Sequence, residues 1–124
     1  MKLVVIESPL SAPTREGIEK NKMYAKRCVF DSLKRGEAPY ASHLFFDQDG
    51  LLDDLTPHER ELGMRAGFAW GKAAELVAVY ADYGITTGMQ QGMELAHSRG
   101  QKVEIRYIIQ KNLVTDLLEQ SNKG

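Results

Sequence analysis

The sequence predicts an α/β domain built on one parallel four-stranded sheet in the order 2-1-3-4, with helices on both faces. Three observations predict it. Apolar, β-branched runs alternate along the chain with segments of helical period, the pattern of right-handed strand-helix-strand crossovers. Two of the four strands are apolar throughout and belong inside the sheet, whereas the other two carry a proline or alternating charges and belong at its edges. The 124 residues, 43% hydrophobic and 27% charged, suit a single globular core.

The first strand is the apolar run from Lys2 to Glu7, closed by Ser8-Pro9 and expected to be buried on both faces. After the turn at Ser11-Ala12-Pro13-Thr14, a stripe of Ile18, Asn21, Ala25, Cys28, Val29 and Ser32 marks the first long helix, ending at Gly36. Residues Ala38 to Phe46 read as a second strand, and Pro39 puts it at an edge. Asp47 to Gly50 turn the chain, and Leu51 to Leu55 form a loop. The second long helix starts at Thr56 as N-cap, with Pro57 at its first position and Glu59 completing a capping box. Its expected apolar face is Leu62, Ala66, Ala69 and Ala73. Glu75 to Asp82 form a third, central strand, followed by a turn at Tyr83-Gly84-Ile85. Thr87 with Gln90 predicts another capping box and a third helix running to Arg99 and stopping at Gly100. The fourth strand, Val103 to Ile109, alternates Val103, Ile105 and Tyr107 with Glu104 and Arg106, as a half-solvated edge would. The result is a single-domain Rossmann-like or flavodoxin-like arrangement over residues 1–110. Residues 111–124 form a tail in which Val114 to Gln120 suggest a short helix.

Composition narrows the functional classes. Sixteen basic and seventeen acidic residues leave a net charge of -1, which argues against binding a nucleic-acid polymer or a membrane surface. No apolar run reaches the ~20 residues that span a bilayer or forms a signal-peptide core. A lone Cys28 excludes an internal disulfide, so the expected location is the cytoplasm. Nothing has metal-ligand spacing, and no GxGxxG fingerprint, P-loop or nucleophile elbow occurs, so no metal and no cofactor are expected.

The predicted strand order places the topological switch point between strands one and three, where open α/β sheets bind ligands at the carboxyl ends of the strands. Ser8 and Asp82 end those strands. Thr86, Thr87, Gly88 and Met89 open a helix whose free N–H groups attract anions, or they merely cap it. Asn21, an amide on an apolar stripe, either pins the first loop or touches ligand. His43, expected within strand two, is a structural histidine or a site residue. Arg60 lies in a first helical turn, where a cation makes sense with a carboxylate or phosphate partner, and Arg15 is a second cation within reach. Gly63, Gly67 and Gly71 form a stripe with two readings: close packing within the fold, or a helix crossing a second copy with Trp70 in the partner's groove.

Taken together, Glu7-Ser8-Pro9, Asn21 with Ala25, Pro39-x-x-x-His43-Leu44, Glu59-Arg60-x-x-Gly63 and Thr86-x-Gly88-Met89 leading to Ala96 give a combined pattern. Over residues 2–108 it resembles the nucleoside 2-deoxyribosyltransferase-like superfamily, especially the small branch common in phages and bacteria. The resemblance implies a nucleotide-like ligand and a homo-oligomer. It also implies N-glycosidic chemistry, with Ser8, Pro9 and the first loop toward the phosphate. In the enzymes, a glycine at the start of this helix is followed four residues later by a nucleophilic glutamate, and then four later by alanine. Gly88 and Ala96 keep that spacing, but Gly92 stands at the glutamate's place. Glu94 lies two residues on, about 200° around the helix, and does not simply substitute for it. The expectation is therefore a nucleotide-binding protein, a sensor or a sequestering sponge, that has lost its nucleophile. The alternative is an active N-glycosidase or deoxyribosyltransferase using another carboxylate, with Glu7, Asp82 and Glu94 as candidates.

Overall fold

In a computed structural model that describes residues 1–109, the chain folds as β1 (Leu3–Glu7), α1 (Arg15–Lys34), β2 (Ala38–Tyr40), α2 (Ser42–Phe46), α3 (Pro57–Gly71), β3 (Leu76–Tyr80), α4 (Thr87–Ser98) and β4 (Lys102–Arg106). The helix expected at Val114 to Gln120 lies outside the described residues. All strand pairs are parallel, in the order β2-β1-β3-β4. Tyr24 and Cys28 of α1 pack on Val4, Ile6, Ala78 and Tyr80 to form the core on one face. On the other face, Met89 and Ala96 of α4 pack on Val77 and Val79. β3 is buried at every residue, as its composition requires. β1 is not: Val4 and Ile6 are buried, but Val5 and Glu7 are only half-buried, because their face of the strand opens onto a cleft.

The second strand is shorter than its residue types suggested. It ends at Tyr40, and residues 42–46 turn into α2, closed by hydrogen bonds from Leu44 N to Ala41 O and from Asp47 N to His43 O. Room for that turn comes from α3. A Cβ on Gly67 would lie 2.6 Å from Ser42 Oγ, and one on Gly63 would meet Leu52 Cδ1 at 3.3 Å and Phe46 Cβ at 3.7 Å. The glycine stripe therefore packs inward, Gly63 and Gly67 on α2 and the loop after it and Gly71 toward Val5 and Arg99, which is the close-packing reading of the stripe. The face expected to be apolar and buried looks outward, with Leu62, Ala69 and Ala73 exposed and Ala66 half-buried, and Trp70 is exposed as well.

Helix starts also differ in detail. Thr56 is the N-cap of α3 with Pro57 behind it, but its side chain caps nothing. Its own N–H already donates to Asp53 O, so Glu59 accepts instead from the free Asp53 N–H at 3.1 Å. The capping box of α4 sits one residue earlier than expected: Thr86 Oγ1 accepts from Met89 N at 3.2 Å, and Met89 Sδ accepts from Thr86 N.

β4 stops at Arg106 because the next amides leave the ladder. Ile108 N and Ile109 N donate to the Asp82 carboxylate at 3.1 and 2.6 Å. The expected facing of β4 holds for Val103, which packs on the α4 side of the core, but not beyond it, where Ile105 and Tyr107 are exposed and Arg106 is buried. In-register pairing puts Arg106 beside Tyr80, whose hydroxyl it meets at 3.0 Å, and Glu37 takes two hydrogen bonds from the guanidinium at 2.8 and 2.7 Å. Those bonds hold the Glu37 carboxyl down at about 2.

Candidate functional site

The carboxyl ends of β1 and β3 open into a cavity of about 290 Å³ that continues between α3 and α4. This is the switch point that the strand order defines.

Its floor carries Glu7. The residue ends β1 on the same face as Val5, so its carboxyl points toward α4. A Cβ built on Gly92 would lie 2.0 Å from Glu7 Oε2 and 2.7 Å from its Cδ. The carboxyl of Glu7 thus fills the space into which a side chain at position 92 would project, and only a glycine permits it. Among the described residues the carboxyl has no hydrogen-bond or ion-pair partner, and burial raises it to about 8.

Ser8, the next residue, is 7% exposed and places Oγ 2.7 Å from His43 Nε2. The contact exists because His43 stands on α2 rather than in a strand, where alternation would have fixed its direction differently. Burial, aided by the Lys22 ammonium, lowers His43 to about 4, so near pH 7 it is neutral. Arg60 lines the cavity from the first turn of α3, with Nε 3.9 Å from Asp54 Oδ1. Asp54 is raised by burial and accepts a hydrogen bond from Ser11 Oγ. Thr86, Thr87, Gly88 and Met89 form the rim, although Thr86 Oγ1 is occupied by its own helix and Met89 is buried.

Of the residues singled out from sequence, Ser8, His43, Arg60, Thr86, Thr87, Gly88, Met89 and Gly92 line the cavity, as does Glu7. Pro9, Arg15, Asn21, Asp82 and Glu94 do not. Arg15 binds Asp47 at 2.8 Å and also Asp53, on the far side of the 47–55 loop. Asn21 donates to Leu10 O at 2.9 Å, so it pins the first loop. Asp82 accepts from Tyr24 Oη at 2.5 Å and from the amides after β4. These bonds make it a structural tie. Glu94 faces solvent.

Sequence reasoning missed Phe68 and Arg99, which line the cavity together with Tyr40. Tyr40 stands there because a residue in register with Val5 shares its face. Among the described residues no cluster of His, Cys, Asp or Glu is placed to hold a metal, and no helix is long and apolar enough to cross a membrane. No curated protein matches the chain. A family model, described as a domain of unknown function (DUF7768), matches residues 2–106.

Proposed function

The chain belongs to the DUF7768 family, and from the site this member builds we propose that it binds a nucleoside or nucleotide at the switch point and cleaves the N-glycosidic bond with Glu7. One observation carries the reading: the Glu7 carboxyl, unpartnered among the described residues, occupies the space of a side chain at position 92 and faces the cavity. On this reading the carboxylate that the resembled enzymes carry on the helix comes from β1 instead.

The chemistry follows from that placement. Ionised Glu7 attacks the anomeric carbon, and the bond to the base breaks with its electron pair going to the base nitrogen, which takes a proton from water. Water then attacks the same carbon, loses a proton to solvent and displaces the carboxylate, releasing the sugar. Ser8, oriented by His43, and Arg60 are the groups available to a phosphate.

A second reading, a sensor or sponge that holds an intact nucleotide, is supported by the raised Glu7. A carboxyl titrating at about 8 is mostly protonated at pH 7 and donates a hydrogen bond rather than attacking. Buried Cys28 fits a reducing cytoplasm, that of a host if the protein is phage-encoded. Self-association, if it occurs, uses the outward face of α3 around Leu62 and Trp70.

Incubation with 2′-deoxynucleosides and their 5′-monophosphates, followed by quantification of free base, tests the first reading. Release lost in Glu7→Gln supports the enzyme. An intact nucleotide recovered from denatured protein, with no base formed, supports the binder. Absence of both overturns the nucleotide site itself.

A further inference from the structure

The cavity does not end at Glu7. It continues between α3 and α4 over Val5 and Val77 of the sheet, with Phe68 and Tyr40 in its wall. Tyr40 pairs in register with Val5. Its side chain therefore shares the sheet face from which Val5 and Glu7, two residues apart, both project. The Tyr40 hydroxyl is buried and has no hydrogen-bond partner among the described residues. A buried phenol ordinarily finds one, because leaving it unpaired is costly. This oxygen is consequently a group whose partner the described residues do not provide.

We propose that Tyr40 is a specificity-determining residue: the inner half of the cavity takes a nucleobase against Val5, Val77 and Phe68, and the Tyr40 hydroxyl pairs with a polar atom on the edge of that base. The inference rests on the nucleoside site proposed above. Two residues along a strand span about 7 Å, so a base lying beside Val5 and Tyr40 brings its sugar bond to Glu7. Apolar walls with a few placed polar groups are the usual construction of a selective small-molecule pocket, and Arg99 lines this one beside Tyr40 and Phe68. A hydroxyl both donates and accepts, and so meets either a ring nitrogen or a carbonyl of the base.

The test is Tyr40→Phe, which removes one oxygen and keeps the ring. Wild type and variant are titrated calorimetrically with the four common 2′-deoxynucleosides and their 5′-monophosphates, and unfolded thermally without ligand. The tightest-binding compound should lose roughly tenfold in affinity in the variant, and the bases should be discriminated less. The unliganded melting temperature should stay the same or rise, since an unpaired hydroxyl has left the interior. Equal affinities in the two proteins overturn the role of Tyr40 and leave the nucleoside site standing. Equal affinities with a lowered melting temperature give the hydroxyl to the fold. Absence of heat from all eight compounds with wild type overturns the nucleoside site and this inference with it.

Discussion

Glu7 is a carboxyl on the floor of a cleft, without a counter-ion among the described residues, and its protonation has consequences for both stability and chemistry. It titrates at about 8 in the folded chain against an ordinary 4.5. Between those values the native state keeps a proton that the unfolded chain has lost, so stability falls as pH rises through that window. The slope is about 1.4 kcal/mol per pH unit, and below about 4.5 the penalty is absent. Denaturant midpoints measured from pH 4 to 9 should show this decline in wild type, and subtracting the Glu7→Gln curve should isolate it. If Glu7 is the nucleophile, base release should climb with pH to a plateau above about 8 and drop by several powers of ten in Glu7→Gln. A binder that uses the protonated form should instead lose affinity over the same range. Position 92 supplies a complementary test. Gly92→Ala sets a Cβ 2.0 Å from Glu7 Oε2 and must displace the carboxyl, so activity should fall. Glu7→Ala combined with Gly92→Glu returns a carboxylate from the helix, and base release by the double variant, absent in either single variant, would show that the two positions share one site.

At the scale of elements, the pairing of α2 with α3 controls the wall that carries His43 and Arg60. Gly67→Ala drives a Cβ to 2.6 Å from Ser42 Oγ and 2.7 Å from its Cβ, and should cost about 1–3 kcal/mol in urea unfolding. Ser42→Gly in the same chain should recover part of that loss, and simple additivity of the two changes would refute the contact. Gly71→Ala, whose neighbours stand at 3.6 and 3.7 Å, should be tolerated. The glycine spacing in residues 63–71 was legible as a close contact, but its partner was not. Five residues, Ser-His-Leu-Phe-Phe, carry too little period to separate a helical turn from a strand, and their conformation is decided by α3, which follows later in the chain. The unexpected facing at the end of β4 has a similar origin. Arg106 is buried because Glu37, far away in sequence, meets it there.

For the whole molecule, the strand order and hence the location of the cleft followed from composition alone, since two apolar strands had to be central. Which polar residues reach the cleft depended on partners that composition does not reveal. Arg15 is held by Asp47 and Asp53, Asn21 by Leu10, and Asp82 by Tyr24 and the amides after β4. Asp82 therefore serves to join α1, β3 and the end of the sheet. Asp82→Ala should destabilise the fold by about 2 kcal/mol or more, while base release per folded molecule stays unchanged. A stable Asp82→Ala protein lacking activity would return this residue to the site. Association through the outer face of α3 should appear in sedimentation as an oligomer that Trp70→Lys dissociates without changing ligand affinity.

The cavity separates α3 from α4, so α3 rests chiefly on α2 and not on its neighbouring helix. Backbone amides of α3 are therefore protected by a smaller body of packing than those of β3, which is buried at every residue. Residues 41–71 should open together while the sheet stays closed, exchanging their amide hydrogens earlier than β3 by mass spectrometry. A molecule seated against both helices would bridge the gap and slow that exchange, which gives entry to the cleft a time course of its own, separate from global unfolding.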